Sequence, residues 1–131
     1  MSASVAVKLW AEKIKSQMRR VTISAARELG ADIIEATPVR TGLARGNWQT
    51  VINGNISGPI ERLSPTGSEA TEELFYNSEK LQLGALLRFA NAVPYISDLE
   101  MGSSVQAPSF FIRDRTAQWS RYVAEQMEKN K

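Results

Sequence analysis

The sequence predicts an α+β fold: a small, mostly antiparallel sheet packed by a long N-terminal helix and a C-terminal helix. Three observations lead there. Apolar residues recur at helical spacing from Val5 to Ala36. Two short runs, Trp48 to Ile52 and Leu83 to Ala90, are rich in strand-forming or apolar residues. A second helical pattern follows Pro108. At 131 residues the chain (1–131) is a single domain, and its sheet is expected to hold three or four strands.

The first helix is expected from about Val5 to Ala36. At about 100° per residue, Val7, Trp10, Ile14, Met18, Val21, Ala25 and Leu29 fall in one stripe. Lys8, Lys15 and Arg19 lie beside it, and Arg20 and Arg27 lie opposite. Ser2 or Ser4 suits the N-cap. Thr37-Pro38 ends the helix, since a residue before proline avoids the helical region. Such a helix is roughly 48 Å long, more than the width of a domain this small. It therefore bends, or part of it reaches another subunit. The stripe is expected to be core for most of its length, with Val5 to Trp10 at the free end as interface.

Pro38, Gly42 and Gly46 punctuate a turn that leads into the first strand, Trp48 to Ile52. Asn53-Gly54 signals a turn, after which Asn55 to Ser57 either continues the strand or returns as a hairpin. Gly58-Pro59 and Ser64 to Gly67 frame a loop. Thr66 and Glu69 have capping-box spacing, and Glu69, Glu72 and Glu73 suit the first turn of a helix from about Ser68 to Gln82. Leu83 to Ala90, apolar except mainly at Arg88, is expected to be a central strand covered on both faces. Pro94 breaks that run, a short helical turn follows through Tyr95 to Glu100, and Gly102 stops it. Pro108 fits the first position of the last helix. Phe110 and Phe111 anchor its start, Ile112, Thr116, Trp119 and Val123 share a face, and Tyr122 lies on the flank. Glu125 to Lys131 is polar and expected to fray.

Composition removes several kinds of chemistry. The chain has no Cys and no His, so it offers no thiolate, no imidazole base and none of the commonest metal ligands. The acidic residues after Ser68 read as partners of the helix dipole, not as metal ligands. The loop with Arg40, Thr41 and Arg45 has two glycines but lacks the Lys-Ser/Thr ending of a phosphate-binding loop. Neither a catalytic constellation nor a cofactor motif is present, and the expectation is a protein that is not an enzyme and binds no cofactor or metal. No apolar run approaches the about 20 residues that span a bilayer, and charges interrupt the N-terminus before a signal-like stretch forms. A soluble intracellular protein is expected.

The net charge of +2 is unevenly placed. Residues 1–50 carry 8 basic and 4 acidic groups, residues 51–100 carry 3 and 7, and residues 101–131 carry 5 and 3. The balance argues against a dedicated nucleic-acid binder. The alternation suits copies that meet acidic section to basic section.

Two motifs carry a resemblance. One runs Thr37-Pro38-Val39-Arg40-Thr41-Gly42-Leu43-Ala44-Arg45-Gly46-Asn47-Trp48. The other runs Asn91-x-x-Pro94-Tyr95, Leu99-Glu100-x-Gly102-Ser103, then Gln106-Ala107-Pro108. In this order and in a chain of this length, the pair resembles the HK97 gp10-like family of tailed-bacteriophage tail-completion or head–tail joining proteins. Arg40 stands where that family usually shows a small or acidic residue, so the charge of the first loop departs from the pattern.

The resemblance implies a virion structural protein of the neck or tail top. It implies a homo-oligomeric ring, expected to be a hexamer, that completes the tail and joins it to the head connector. Implied partners are further copies of the chain, the major tail protein or tail terminator, a head-completion or connector protein, and DNA in the lumen, with no membrane. Candidate contact residues are Trp10, Pro38, Arg40, Thr41, Gly42, Arg45, Pro94, Tyr95, Glu100, Gly102, Pro108 and Phe110. For Glu100 a local role, capping or pairing with the last helix, is the favoured reading. Proline-, glycine- and serine-rich loops at 36–47, 53–67 and 101–108 are expected to be mobile in the free subunit and to order on docking. Two alternatives stand beside this: a tail terminator that caps the tube, and a small DNA-binding module using Lys8, Lys15, Arg19 and the loop arginines.

Overall fold

Ser2 caps the first helix, accepting from the Val5 amide at 3.3 Å, and the chain then stays helical for 34 residues. This helix, α1 (Ala3–Ala36), ends at Thr37, whose backbone leaves the helical region before Pro38. The computed structural model describes residues 2–102 and 110–130. After α1 come α2 (Leu43–Gly46), β1 (Gln49–Ile52), α3 (Ser68–Ser78), β2 (Leu87–Ala90), α4 (Ile96–Glu100), α5 (Phe111–Thr116) and α6 (Trp119–Lys129). The α+β architecture is as expected: α1 and the C-terminal helices pack with a small antiparallel sheet.

The sheet is smaller than expected. Among the described residues it has two strands, β1 and β2, paired antiparallel with Gln49 opposite Ala90 and Ile52 opposite Leu87. Asn53 closes the open end: its amide donates to the Leu86 carbonyl at 2.8 Å and its Oδ1 accepts from the Leu86 amide at 2.9 Å. Asn53 sits in the left-handed region to do so, and residues 55–57 do not continue the strand. The run from Leu83 is not a central strand. Leu83 and Gly84 form a turn, Leu83, Leu86 and Arg88 are exposed, and only four residues pair. A two-stranded ribbon has one covered face, so apolar residues alternate between core and solvent.

The core lies where the C-terminal half of α1 meets α3 and the ribbon. Ile33, Ile34, Trp48, Ala70 and Leu74 form its centre, with Leu29, Phe89, Ile96 and Ile112 packed against it. Trp48 stacks on Phe89 with ring centroids 4.7 Å apart. Helix α3 stops at Ser78, short of Gln82. It starts after Gly67, and Thr66 Oγ1 accepts from the Ser68 amide, while Glu69 takes the Ser64 and Ser68 hydroxyls. The capping box is therefore replaced by separate contacts.

The last helix is broken. Residues 117–118 interrupt it, and the break turns Tyr122, not Val123, into the core. Tyr122 donates to Asp32 Oδ2 at 2.6 Å and Gln126 to Glu28 Oε2 at 3.1 Å, so α6 runs antiparallel along α1. Those bonds and Asn130's own to the Gln126 carbonyl keep α6 helical to Lys129, where fraying was expected.

The same alignment leaves the first half of α1 without cover. Residues 2–10 are all exposed, and Val7 and Trp10 keep 62% and 63% of their surface. The buried positions of α1 begin only at Ile23. The stripe at Ile14 and Met18 is thus not core, contrary to expectation, and the Val5 to Trp10 end, expected as interface, is exposed. At the base of this arm three arginines converge on one turn. Arg19 donates to the carbonyls of Leu81 and Glu79, and Arg20 and Arg27 pair with the Glu79 carboxylate at 3.6 and 2.9 Å. The hydrogen bond from Arg27, with the charges of Arg20 and Arg19, holds the Glu79 carboxyl below its usual range.

Candidate functional site

The two sequence motifs fold onto each other. The first turns back immediately after α1. Gly42 adopts φ 88°, which favours glycine, and a side chain there would strike the Pro65 backbone. Its carbonyl accepts from the amides of Gly46 and Ser64 at 2.8 and 3.0 Å. Gly46 packs so closely on the Arg62 carbonyl that no Cβ fits.

Side chains then tie this loop down. The Arg45 guanidinium donates to three carbonyls: Glu35, Thr37 and Pro65, the shortest bonds being 2.8 Å. Asn47 donates to the carbonyls of Leu43 and Ile60 and accepts from the Ile60 amide at 2.7 Å. Trp48 Nε1 donates to Thr37 Oγ1 at 2.9 Å, and that hydroxyl donates onward to the Ile33 carbonyl at 2.7 Å. From the far side Arg62 donates to the carbonyls of Gly46 and Trp48 and pairs with Glu73, whose other oxygen accepts from the Thr50 amide. The loops expected to be mobile at 36–47 and 53–67 are therefore held by side chains that donate to backbone carbonyls. Most of the third, 101–108, lies outside the described residues.

The second motif joins here. Asn91 Nδ2 donates to the Ala44 carbonyl at 2.8 Å, and its Oδ1 accepts from the Val93 amide at 3.1 Å. Pro94 and Tyr95 turn outward, and α4 follows. Glu100 at its end caps α5: its two oxygens accept from the amides of Ile112 at 2.9 Å and Arg113 at 3.0 Å. The local reading of Glu100 holds. Phe110 enters α5 in the left-handed region, with Arg113 over its ring at 3.7 Å.

The candidate contact residues separate accordingly. Arg40 and Thr41 are exposed at the tip of the first motif, and Pro94, Tyr95 and Gly102 are exposed along the second. Pro38 and Gly42 are buried. Arg45 and Glu100 are spent on the chain's own backbone, and Phe110 is half-buried. Trp10 is exposed but stands near the far end of α1, roughly 40 Å from Pro38. Pro108 lies outside the described residues. The expected charge match also shrinks. Glu69, Glu73, Glu79 and Glu100 are engaged within the chain, though Glu69 and Glu79 stay exposed, and Glu61, Glu72 and Asp98 are the other exposed acids of the middle section.

Sequence reasoning did not foresee an apolar cleft of about 380 Å³ beside α1, lined by Leu29, Ile33, Trp48, Leu81, Phe89 and Trp119, among others. Two threonine hydroxyls also line it, but each donates to a carbonyl of its own helix: Thr22 to Met18 and Thr116 to Arg113. The cleft offers shape and apolar surface, suited to an apolar side chain. Its walls come from five separate stretches, and no spacing in the sequence links them.

Comparison with protein-family models, curated proteins and solved structures finds no match to this chain. Among the described residues no three acidic side chains gather as metal ligands. Nor is any helix there long and apolar enough to cross a membrane. The joint is thus made of donors spent on carbonyls, with exposed tips around it. Such an arrangement holds surface loops in fixed positions.

Proposed function

We propose that this chain is a bacteriophage virion structural protein of the neck or tail top. It forms an oligomeric ring that completes the tail and joins it to the head connector, in the virion and, during assembly, in the host cytoplasm. It works by fitting surfaces together and turns over no substrate. One observation carries the reading: the two motifs that resemble the HK97 gp10-like family, far apart in sequence, are joined by the hydrogen bond from Asn91 to Ala44. The shared joint sets the Arg40–Thr41 tip and the Pro94–Tyr95 turn in fixed relation, as a docking surface requires.

In a ring, one patch on each subunit must fit a different patch on the next. The exposed tips and the apolar cleft supply two unlike patches. The DNA-binding alternative is weaker on charge, since Arg19 and Arg45 of its five cations are committed to carbonyls.

The test is co-sedimentation of the purified protein with isolated tails and with isolated heads of the parent phage, followed by negative-stain microscopy. Ring density at the tail top, retained on tails and able to recruit heads, is the expected result. Binding to tails with no capacity to recruit heads would mark a terminator instead. Binding to neither would sink the reading.

A further inference from the structure

The uncovered half of α1 has a regular seam. Val7, Ala11, Ile14, Met18, Val21, Ala25, Glu28 and Asp32 follow one another at alternating steps of four and three. That is the repeat of a coiled-coil seam. Its lower end is filled within the subunit: Ala25 is fully buried, and α6 meets Glu28 through Gln126 and Asp32 through Tyr122. Continuing that antiparallel match, α6 ends opposite Ala25. Above it Val7 and Met18 are exposed and Ala11 and Ile14 half-exposed.

We infer that the bare arm pairs antiparallel with the same arm of a second copy. The occupant is set by register and by space. A heptad seam packs best on a helix of the same period, and the arm itself has it. Setting Val7 opposite Met18 and Ala11 opposite Ile14 stacks four apolar layers, with Val21 facing Ser4 at either end. In that register residue 3 of each copy falls opposite residue 22, so the two arms overlap over residues 3–22. The incoming helix stops about one turn short of the end of α6 and continues its column. A parallel pair has no such room, because each copy's α6 occupies the seam line from Ala25 downward. In the antiparallel pair the two bodies stand at opposite ends.

The flanks are unlike. Trp10 covers one side of the seam. On the other, Lys8 of one copy lies alongside Lys15 of the second, a like-charge contact that Glu12, 4.0 Å from Lys15, offsets only in part and that salt screens. The pairing is a two-fold contact, distinct from the head-to-tail contacts of a ring. It stands on the helix alone and does not depend on the virion reading.

The chain has no cysteine, so introduced thiols report unambiguously. The double variant V7C/M18C is expected to give a disulfide-linked dimer on mild oxidation, and V7C alone is not. The two copies of residue 7 lie eleven positions apart along the seam, roughly 16 Å, beyond disulfide reach. All four positions used, 7, 13, 14 and 18, are on exposed or half-exposed surface, so folding is spared, and circular dichroism verifies it. Sedimentation equilibrium should show that Ile14→Asp raises the dimer dissociation constant at least about tenfold, because it buries an unpaired charge. Lys13→Asp, off the seam, should not. Raising salt should tighten the dimer. A disulfide dimer from V7C alone, a chain monomeric at every concentration and salt, or a dimer that loosens with salt would each overturn the pairing. A positive tail co-sedimentation alongside any of these would leave the virion reading intact, and the reverse holds equally.

Discussion

The Asn91 carboxamide bridges two backbone segments: it donates to the Ala44 carbonyl at 2.8 Å and accepts from the Val93 amide at 3.1 Å. Without Asn91 the buried Ala44 carbonyl keeps the Asn47 amide at 3.2 Å as its donor. Asn91→Ala should therefore lower unfolding stability by about 0.5–1.5 kcal/mol, and Asn91→Asp should cost more, since it presents an oxygen to an oxygen. Urea denaturation measures both. If the bridge orients the tips, both variants should also weaken tail binding under conditions where they remain folded.

Two arginines in the same short loop should behave oppositely. Arg45 reaches three carbonyls through a rigid fork, which a lysine cannot reproduce. Arg45→Lys is expected to cost about 1–3 kcal/mol in urea denaturation. Arg40→Ala, at an exposed tip, should stay within about 0.5 kcal/mol. Its effect belongs to partner binding, where the co-sedimentation assay reads it.

Tyr122 gives the fold an alkaline limit. Burial first, and then the Asp32 carboxylate it donates to, push its hydroxyl from 10.0 up to about 12. The unfolded chain therefore loses this proton first as pH rises. The stability Tyr122 contributes is complete below pH 10.0 and is lost as pH climbs through about 12. Tyr122→Phe should cost about 1–2 kcal/mol at neutral pH and flatten the decline in that window. Thermal melts across the alkaline range provide the comparison.

Glu100 should act locally. Its carboxylate caps the two amides that open α5, and Glu100→Ala should cost about 1 kcal/mol. Hydrogen exchange at Ile112 and Arg113 should speed up in the variant, while the amides of α3 should hardly change.

Legibility from sequence followed the range of the interactions. Helix α1 was readable nearly to the residue, because Ser2 and Pro38 act on their immediate neighbours. Its burial was not, because periodicity marks an apolar face without saying how far the remaining chain extends. Leu83 to Ala90 misled for a related reason: a two-stranded ribbon leaves Leu83 and Leu86 exposed, and nothing local sets strand count. The break at 117–118 moved Tyr122 to the inside, which no uniform helical wheel would do. At the joint, Gly42, Asn47 and Asn91 all belong to the two motifs, but nothing in their spacing says that Asn91 donates to Ala44. Arg62 meets Gly46 and Trp48 only through folding, so its part had no signature.

The three arginines around Glu79 give the arm a further property. They grip the α1 shaft near residues 19–27, on a turn whose carboxylate is half solvated, and about 24 Å of helix projects beyond that collar. A rotation of about 5° at the collar swings the free end by roughly 2 Å. The arm is a lever, and its fulcrum is an ionic one.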